Sequence, residues 1–333
     1  MRILVTGAAG FLGLHLVRRL VALAPVRALY HRHLPTFRSD DPAAQAEWLP
    51  CNIANPDAVL EVMRPCTHCY HVAARVSFDP RHRNQLYAVN YRGTAHVVNA
   101  ALSAGISKLV HVSSVAAIGR GRNDQVLNEE APWQEDAWTT HYARSKRLAE
   151  LEVFRGMAEG LTAVIGNPSL ILGPGDWSKG PPHFFRRVRQ GLWFYPPGGT
   201  AMVDVDDVVE VLIGLMHGPY AGERFIISSE DKSFYDLFSA IARLIGARPP
   251  RFRMAPFAME LLWRLEGLRS RLVGTKPLLT RESARLSCSW SRFDSSKVQR
   301  TLGFRFRSVD ECLERTAAVF LKEEQDTIHR SAR

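Results

Sequence analysis

Short apolar runs alternate with amphipathic stretches along the first half of the chain. The apolar runs predict β-strands at residues 2–6, 26–30, 47–49, 69–72, 108–113 and 163–166. The stretches between them repeat apolar residues at intervals of three and four, which predicts helices at residues 11–23, 56–63, 85–104 and 141–159. Such alternation is typical of an α/β protein with a parallel, doubly wound sheet.

The first apolar run leads directly into a glycine-rich turn. Gly7, Gly10 and Gly13 follow the strand, and the first predicted helix begins among them. In such a unit, glycine permits the sharp turn, lets a pyrophosphate approach the backbone and lets the helix pack closely on the sheet. The N–H groups at the helix N-terminus attract the negative charge. The turn therefore predicts a dinucleotide-binding Rossmann fold, with the spacing G-x-x-G-x-x-G in place of the usual G-x-G-x-x-G.

The pattern changes after Gly166. Breakers follow at residues 173–175 and 181–182, and the later pattern is mainly helical. We predict a Rossmann domain at residues 1–166 and a smaller, mainly helical substrate lobe at 167–333. A helix at 205–216 and a strand at 224–227 are expected to return residues 203–228 to the first domain, and a further helix is expected at 234–245.

One helix in the tail carries a row of large apolar side chains, namely Phe257, Leu261, Leu262, Leu265 and Leu268. Two interpretations are open for this row. The helix packs on its own domain, or it attaches the protein to a membrane surface. We favour packing, because amphipathic helices of enzymes commonly face their own core.

Composition limits the classes of function. The 333 residues are 46% hydrophobic, and no apolar run reaches the length of about 18 residues that a transmembrane helix needs. The first strand lies so close to Met1 that no signal peptide is expected, and five cysteines fit a reducing compartment, so we expect a cytoplasmic protein. Cys66 and Cys69 are interpreted as small buried hydrophobes, and no metal site is expected.

The net charge of +10 does not by itself indicate a nucleic-acid partner. Arginine residues are scattered along predicted helices and are not clustered with aromatic side chains, as nucleic-acid surfaces commonly require. Attraction of a polyanionic cofactor explains the charge. We therefore expect a small-molecule substrate and no nucleic acid.

Three residues downstream suggest acid/base chemistry. Ser114 follows the strand at 108–113, and Tyr142 and Lys146 lie four residues apart on one helix face. A free tyrosine has a pKa of about 10, and an ammonium about 4 Å away could lower it by about three units. We expect Lys146, together with the positive charge of an oxidised nicotinamide, to act in this way. Tyr142 is expected to exchange the proton at a substrate oxygen, and Ser114 to hydrogen-bond that oxygen.

These motifs resemble those of the extended short-chain dehydrogenases/reductases, in the NAD(P)-dependent epimerase/dehydratase superfamily. The matching segments are 6–13, 71–74, 89–94, 167–168, 173–175 and 203–208, together with Ser114, Tyr142 and Lys146. The serine stretch and residues 173–176 most resemble dihydroflavonol-4-reductase-like and 3β-hydroxysteroid-dehydrogenase-like members. His71 is interpreted as a packed strand residue, and a homodimer through the helices at 85–104 and 141–159 is implied only by analogy.

The glycine turn, the strand ends and the resemblance together give a set of expected cofactor contacts. Many relatives carry an aspartate near the adenine where this chain has Asn52, which can still hydrogen-bond the adenine edge. The expected contacts are Gly7, Gly10, Phe11, Leu12, Gly13, His31, Arg32, Asn52, Ala73, Ala74, Asn90, Lys146, Asn167 and Pro168.

The end of the second strand favours NADP(H) over NAD(H). An NAD site usually places a carboxylate there for the ribose 2′-hydroxyl, but this strand ends in His31, Arg32 and His33. A carboxylate would repel a 2′-phosphate, whereas Arg32 can pair with it.

We expect an NADP(H)-dependent oxidoreductase that acts on a ketone, an aldehyde or a secondary alcohol. In this superfamily, sugar-nucleotide dehydratases usually carry acidic residues just after the active-site serine or threonine. This chain has Val115 and Ala116 there, so the resemblance disfavours dehydration. Epimerisation of a nucleotide sugar is the alternative, and a non-catalytic NADP sensor is disfavoured by the complete acid/base set. An apolar substrate is one interpretation of the lobe's aromatic residues, which otherwise form core: Phe184, Phe185, Trp193, Phe194, Tyr195 and Trp263.

Overall fold

The computed structural model describes residues 1–121, 125–136, 138–275, 277 and 279–331. Its strands are β1 (Ile3–Thr6), β2 (Val26–Tyr30), β3 (Glu47–Pro50), β4 (His68–His71), β5 (Lys108–Val112), β6 (Val126–Leu127), β7 (Ala163–Pro168), β8 (Leu170–Leu172), β9 (Phe194–Tyr195), β10 (Gly199–Asp204), β11 (Arg224–Ile227), β12 (Glu230–Ser233), β13 (Phe252–Arg253) and β14 (Trp290–Phe293). Its α-helices are α1 (Phe11–Leu20), α2 (Pro56–Met63), α3 (Arg83–Leu86), α4 (Gly93–Ser103), α5 (His141–Ala158), α6 (His183–Arg189), α7 (Val205–His217), α8 (Phe234–Leu244), α9 (Pro256–Val273), α10 (Arg281–Ser287), α11 (Ser296–Leu302) and α12 (Val309–Ser331).

The predicted doubly wound parallel sheet is confirmed. Seven strands pair in the order β11-β7-β5-β4-β1-β2-β3, and every neighbouring pair is parallel. The order of the strands reverses beside β1, where Ile3 pairs with Val26 on one side and with His68 on the other. A crevice opens at such a switch point outside the carboxyl ends of the strands, so the fold places the glycine turn after β1 at its mouth.

Two layers of helices cover the sheet. Helices α1 and α7 pack together on one face, and α2, α4 and α5 pack on the other. Successive residues of a strand face opposite sides. Ile3 and Val5 of β1 accordingly join the core under α1 and α7, whereas Leu4 joins the core under α2 and α4.

The predicted helix at 85–104 is one helical run with a change of pitch. It begins at Arg83 with α3, passes through a π-helical turn at Tyr87–Arg92 and continues as α4. Within the π-helical turn, the carbonyl of Asn90 accepts a hydrogen bond from the Thr94 hydroxyl at 2.6 Å. Single π turns commonly occur where a helix contributes a residue to a functional site.

The later part of the chain is mainly helical, as predicted, and it also contains a sheet that the sequence did not predict. Strands β12, β10, β14 and β6 pair in this order, and β8 pairs with β10. Strands β9 and β13 form a separate parallel pair. The strand predicted at 224–227 is β11, which pairs with β7 and closes one edge of the main sheet.

The preferred interpretation of α9 is confirmed for the helix, which packs on its own domain, but it is wrong for the apolar row. Its apolar row does not pack on the domain: Phe257 is 78% exposed, Leu261, Leu265 and Leu268 are 55–56% exposed, and Leu262 is 42% exposed. The helix instead packs through the opposite face, where Met259 and Ser270 are buried, and it rests on α10. Amphipathicity was predicted correctly, but the apolar side faces outward.

Candidate active site

The glycine turn forms a cradle of bare backbone. Gly7 has a φ of +66°, and a Cβ built there would lie 2.6 Å from the Cα of Ala73. A Cβ at Gly13 would overlap the carbonyl oxygen of Gly7. Gly10 is the N-cap of α1, and no side chain among the described residues caps that helix. The N–H groups of its first turn therefore suit an anion, as a dinucleotide pyrophosphate requires.

The side chains of Phe11 and Leu12 face away from this cradle. The Phe11 ring packs edge-on against His15 and lies beside Gly175, and Leu12 is buried in the core. Only their backbone N–H groups at the start of α1 are available for a ligand. This agrees with the way in which helix N-termini hold phosphate.

The ends of β2 and β3 lie next to the turn. The N–H of Ala8 donates to the carbonyl of Leu29 at 3.1 Å, which joins the turn to the end of β2. His31 and Arg32 follow β2, and both are exposed. Asn52 follows β3 and is exposed, and its side-chain oxygen accepts from the N–H of Ala54 at 3.1 Å. These expected contacts therefore share one edge of the sheet.

The loop after β4 is held against the turn by Thr6. The Thr6 hydroxyl accepts from the N–H groups of Val72 and Ala73, each at 3.2 Å. Ala73 is half-buried and Ala74 is exposed, which leaves both small side chains at the surface of the crevice. Small residues there keep the approach to the glycine backbone open.

Asn90 was expected to contact the cofactor, but its side chain is buried and hydrogen-bonds other parts of the protein. It is 1% exposed, and its amide nitrogen donates to the carbonyl of Arg75 and to the Ser145 hydroxyl, each at 2.9 Å. Its side-chain oxygen accepts from the N–H of Arg75 at 2.7 Å. Asn90 therefore connects the loop after β4 to α5. Within its side-chain amide, only the oxygen can accept one further hydrogen bond.

Ser114 and Tyr142 come together at the carboxyl end of β5. Ser114 caps a short 3₁₀ turn at Val115–Ala117, and its hydroxyl accepts from the N–H of Ala116 at 3.2 Å. Tyr142 is the second residue of α5, and it is held there by the N-cap Thr140. The Ser114 side chain lies near enough to the Tyr142 phenol to lower its pKa, so the pair can meet one substrate oxygen.

Lys146 lies one turn further along α5 and is 1% exposed. Its Nζ donates to the carbonyl of Val112 at 2.8 Å. Burial lowers the pKa of Lys146 to about 8, and the Glu150 carboxylate acts in the opposite direction. Lys146 therefore titrates close to neutral pH.

Lys146 alone does not lower the pKa of Tyr142. Burial raises that pKa, and the nearby Ser114 hydroxyl only partly opposes the increase. Without ligands, Tyr142 is therefore a neutral phenol, ready to donate a proton.

Glu150 is a residue of this site that the sequence reasoning missed. It is fully buried, and its carboxylate accepts from the Asn167 amide at 2.5 Å and pairs with Arg224 at 3.2 Å. Its position four residues after Lys146, on the helix face that carries Tyr142, was the signal that could have revealed it.

Asn167 lies at the centre of this arrangement, on β7. Its amide nitrogen also donates to the carbonyl of Ser114 at 3.0 Å. Its side-chain oxygen is buried and has no hydrogen-bond partner within the part of the chain that the structure describes. A buried acceptor of this kind needs a donor, and the carboxamide of a nicotinamide is one. Pro168, beside it, is buried.

Two histidines lie beneath the site. His71 is fully buried between the hydroxyls of Thr6 and Thr94, at 2.7 and 2.9 Å, and was correctly interpreted as a packed strand residue. Its ring lies 5.0 Å from that of His111. Burial and the nearby Lys146 ammonium lower the pKa of His71 to about 3 and that of His111 well below its ordinary value. Both rings are therefore neutral.

The aromatic residues of the lobe do not form one cluster. Phe185 is in the lobe core and Phe184 packs against Phe238, whereas Trp193 and Phe194 are more than half exposed. A pocket built from the whole set is therefore not found.

Comparison with known proteins places the chain among NAD(P)-dependent enzymes. A model described as "NAD dependent epimerase/dehydratase family" matches residues 3–227. The chain is 30% identical over 317 residues to sterol demethylase protein B of Methylococcus capsulatus, covering 91% of this chain and 93% of that protein. It is 25% identical over 330 residues to 3beta-hydroxysteroid-dehydrogenase/decarboxylase isoform 1 of Arabidopsis thaliana, covering 90% and 75%. The crystal structure of gox2253 superposes with a TM-score of 0.80 at 28% identity, covering 96% of this chain and 98% of that one. The predicted resemblance is thereby confirmed.

Proposed function

Because the chain belongs to the NAD-dependent epimerase/dehydratase family and is an NAD(P)-dependent oxidoreductase, we propose that it interconverts an alcohol with a ketone or aldehyde, using NADP(H). The observation that carries the proposal is the placement of Ser114 and Tyr142 next to each other, with Lys146 one helical turn further along α5. Two hydroxyls at the carboxyl end of β5 suit the oxygen of a carbonyl or an alcohol, and they have no evident use in a binding protein.

In the direction of reduction, Tyr142 donates its proton to the carbonyl oxygen. The raised pKa of Tyr142 keeps the phenol protonated at neutral pH, as a proton donor must be. Ser114 holds the same oxygen by a hydrogen bond and orients it toward the phenol. When protonated, Lys146 would act together with the positive charge of the oxidised cofactor to ease the formation of the phenolate after the proton has left.

The cofactor would be held by the glycine turn, by the loop after β4 and by Asn167. The cradle at Gly7 and Gly13 and the uncapped start of α1 fit its pyrophosphate, and the unpartnered oxygen of Asn167 fits its carboxamide. When bound, NADP(H) supplies or accepts the hydride at the reacting carbon.

The preference for NADP(H) rests on the exposed end of β2. His31 and Arg32 follow that strand without a carboxylate, next to the glycine turn. Arg32 can pair with a 2′-phosphate. Binding of NADPH and NADH to the wild type and to Arg32→Gln tests this. We expect the variant to bind NADPH about tenfold more weakly and NADH unchanged, since a hydrogen bond to a charged group contributes about 1.5–3 kcal/mol. Arg38→Gln is the matched control, and tighter binding of NADH by the wild type would contradict the preference.

The substrate class proposed is an apolar alcohol or ketone. The names of both relatives above refer to sterols or steroids, which are largely apolar molecules. A panel of apolar and polar ketones and aldehydes, with nucleotide sugars included, is scored by oxidation of NADPH. Consumption of a nucleotide sugar without net oxidation would instead support epimerisation.

The role of Tyr142 is tested by Tyr142→Phe. Loss of the proton donor is expected to reduce turnover by about 10²–10⁴-fold while the dissociation constant for NADPH stays within about twofold. Tyr235→Phe, on the exposed start of α8, is the control and keeps full activity. A fully active Tyr142→Phe enzyme refutes the assignment.

A further inference from the structure

The exposed face of α9 is too apolar to be an ordinary enzyme surface. Phe257, Leu261, Leu265 and Leu268 recur at intervals of four, four and three, so they form one stripe along the helix. Each of these side chains is more than half exposed. Contiguous apolar surface of this kind marks a site of attachment to a protein or a membrane.

The stripe continues into a pair of strands that lead to the helix. In the parallel pair of β9 and β13, the N–H groups of Arg251 and Phe252 both donate to the carbonyl of Trp193 at 3.0 Å. The rings of Phe194 and Phe252 lie 5.7 Å apart, and both are more than half exposed, as is Trp193. Helix α9 begins four residues after Phe252, so the exposed aromatic side chains directly precede the apolar stripe along the chain.

The chain around this surface is basic. Residues 179–203 and 237–259, which contain β9 and β13, each carry four Lys or Arg residues and no Asp or Glu. Arg186, Arg187, Arg251 and Arg253 are exposed and form no ion pair among the residues that the structure describes. On α9 itself, Arg264 and Arg269 are paired with glutamates one turn away. The adjoining segments supply unpaired positive charge.

We propose that the α9 stripe and the aromatic pair of β9 and β13 dock on an anionic lipid bilayer. Apolar side chains enter the headgroup region, and the arginines beside them meet the lipid phosphates. No helix in the described part of the chain is long and apolar enough to cross a bilayer, so α9 lies in the plane of the surface. A second copy of the chain fits less well, because two basic surfaces would repel each other.

The proposal does not depend on the proposed reaction, but it places the active site near the lipid. Helix α9 packs on α10, and Glu282 of α10 accepts from the N–H of His141 at 3.3 Å. His141 immediately precedes Tyr142. The docking surface is thus connected to the acid/base tyrosine through a single intervening helix.

Sedimentation of the full chain with vesicles tests the proposal. Phosphatidylcholine vesicles with about 30% phosphatidylglycerol are compared with pure phosphatidylcholine, at about 0.1 M and about 0.5 M salt. We expect binding to the anionic vesicles, and at least about tenfold weaker binding at high salt or without the anionic lipid. No binding to anionic vesicles at low salt overturns the proposal.

Three double variants separate the contributions of the apolar stripe and of the arginines to vesicle binding. Leu261→Gln/Leu265→Gln and Arg251→Gln/Arg253→Gln are each expected to weaken vesicle binding by about tenfold or more. Leu23→Gln/Leu34→Gln removes two side chains that are about half exposed elsewhere, and it should bind like the wild type.

Two further results would also overturn the proposal. One is equal loss of binding in the control variant. The other is a leucine variant that dissociates an oligomer in sedimentation velocity while the wild type ignores the vesicles, since the stripe would then serve self-association. Unchanged thermal unfolding of all three variants verifies that they fold.

Discussion

Replacing Lys146 by methionine removes an ammonium group whose burial in charged form lowers the stability of the folded protein. Lys146 is 1% exposed, and burial lowers its pKa from 10.5 to about 8. At about 1.4 kcal/mol for each pH unit, this difference corresponds to about 3 kcal/mol against the charged form. Methionine keeps the apolar stem of the side chain, so the variant tests the charge rather than the packing.

The sign of the pH dependence follows from the direction of the shift. The pKa of Lys146 is lower in the folded protein than in the unfolded chain, so below pH 8 both states hold the proton and the full cost is present. Between pH 8 and 10.5 the folded protein has lost the proton and the unfolded chain has not, so stability contributed by Lys146 rises with pH. Above this range the cost is gone.

The assay is urea unfolding of the wild type and of Lys146→Met, without cofactor, at pH 7 and pH 10. The wild type should gain about 2–3 kcal/mol relative to the variant between the two pH values. Titration of tyrosines and cysteines is common to both chains and cancels in the comparison. At pH 7 the gain from removing the charge is offset by about 1–3 kcal/mol, because the carbonyl of Val112 loses its donor.

A matched control is Lys179→Met. The Lys179 side chain is 81% exposed, so its substitution should leave the stability difference independent of pH. If the difference in unfolding free energy between wild type and Lys146→Met also stays constant from pH 7 to pH 10, Lys146 does not lose its proton in the folded protein over this range.

Two further pairs of substitutions test the glycine turn and the effect of Glu150 on Lys146. Gly13→Ala places a methyl group against the backbone of the glycine turn, and we expect a loss of about 1–3 kcal/mol in thermal unfolding together with weaker binding of NADPH. Gly267→Ala, on α9 in open space, should instead stabilise the protein by about 0.5–1 kcal/mol. A lower unfolding temperature for Gly267→Ala would show that contact with neighbouring backbone does not decide the effect of adding a methyl group. Glu150→Gln removes the charge that raises the pKa of Lys146, so the alkaline limb of the kcat/KM profile should move to lower pH. Glu152→Gln, on the same helix but away from the site, should leave that profile unchanged.

The parts of the fold that follow from local pattern could be predicted from the sequence. The strand from Ile3 to Thr6, the glycine turn and α1 were predicted as one unit. Their sequence patterns, an apolar run, spaced glycines and an amphipathic stretch, follow one another directly along the chain. The strand at 224–227 was predicted with its observed ends, since a buried apolar run stands between polar turns. Tyr142 and Lys146 were placed on one helix face by spacing alone.

The sheet of the later part could not be predicted in this way. Strand β6 has two residues, and it pairs with β14 about 165 positions later, with Val126 opposite Arg292. A run of two residues has no periodicity, so nothing local indicates the pairing. The environment of Lys146 was likewise hidden, because its partner is a backbone carbonyl on another strand.

The return of β11 to the main sheet has a consequence for how such chains can be recombined. Strand β11 pairs with β7, and α7 packs on α1, although both lie beyond β8–β10 in sequence. A gene fragment that ends near residue 166 would leave β7 as an open edge, prone to pairing with other chains. Exchange of the substrate lobe between two relatives therefore requires the exchange of two separate segments, one before α7 and one after β11, so that α7 and β11 stay with the host. A single end-to-end fusion would not do this.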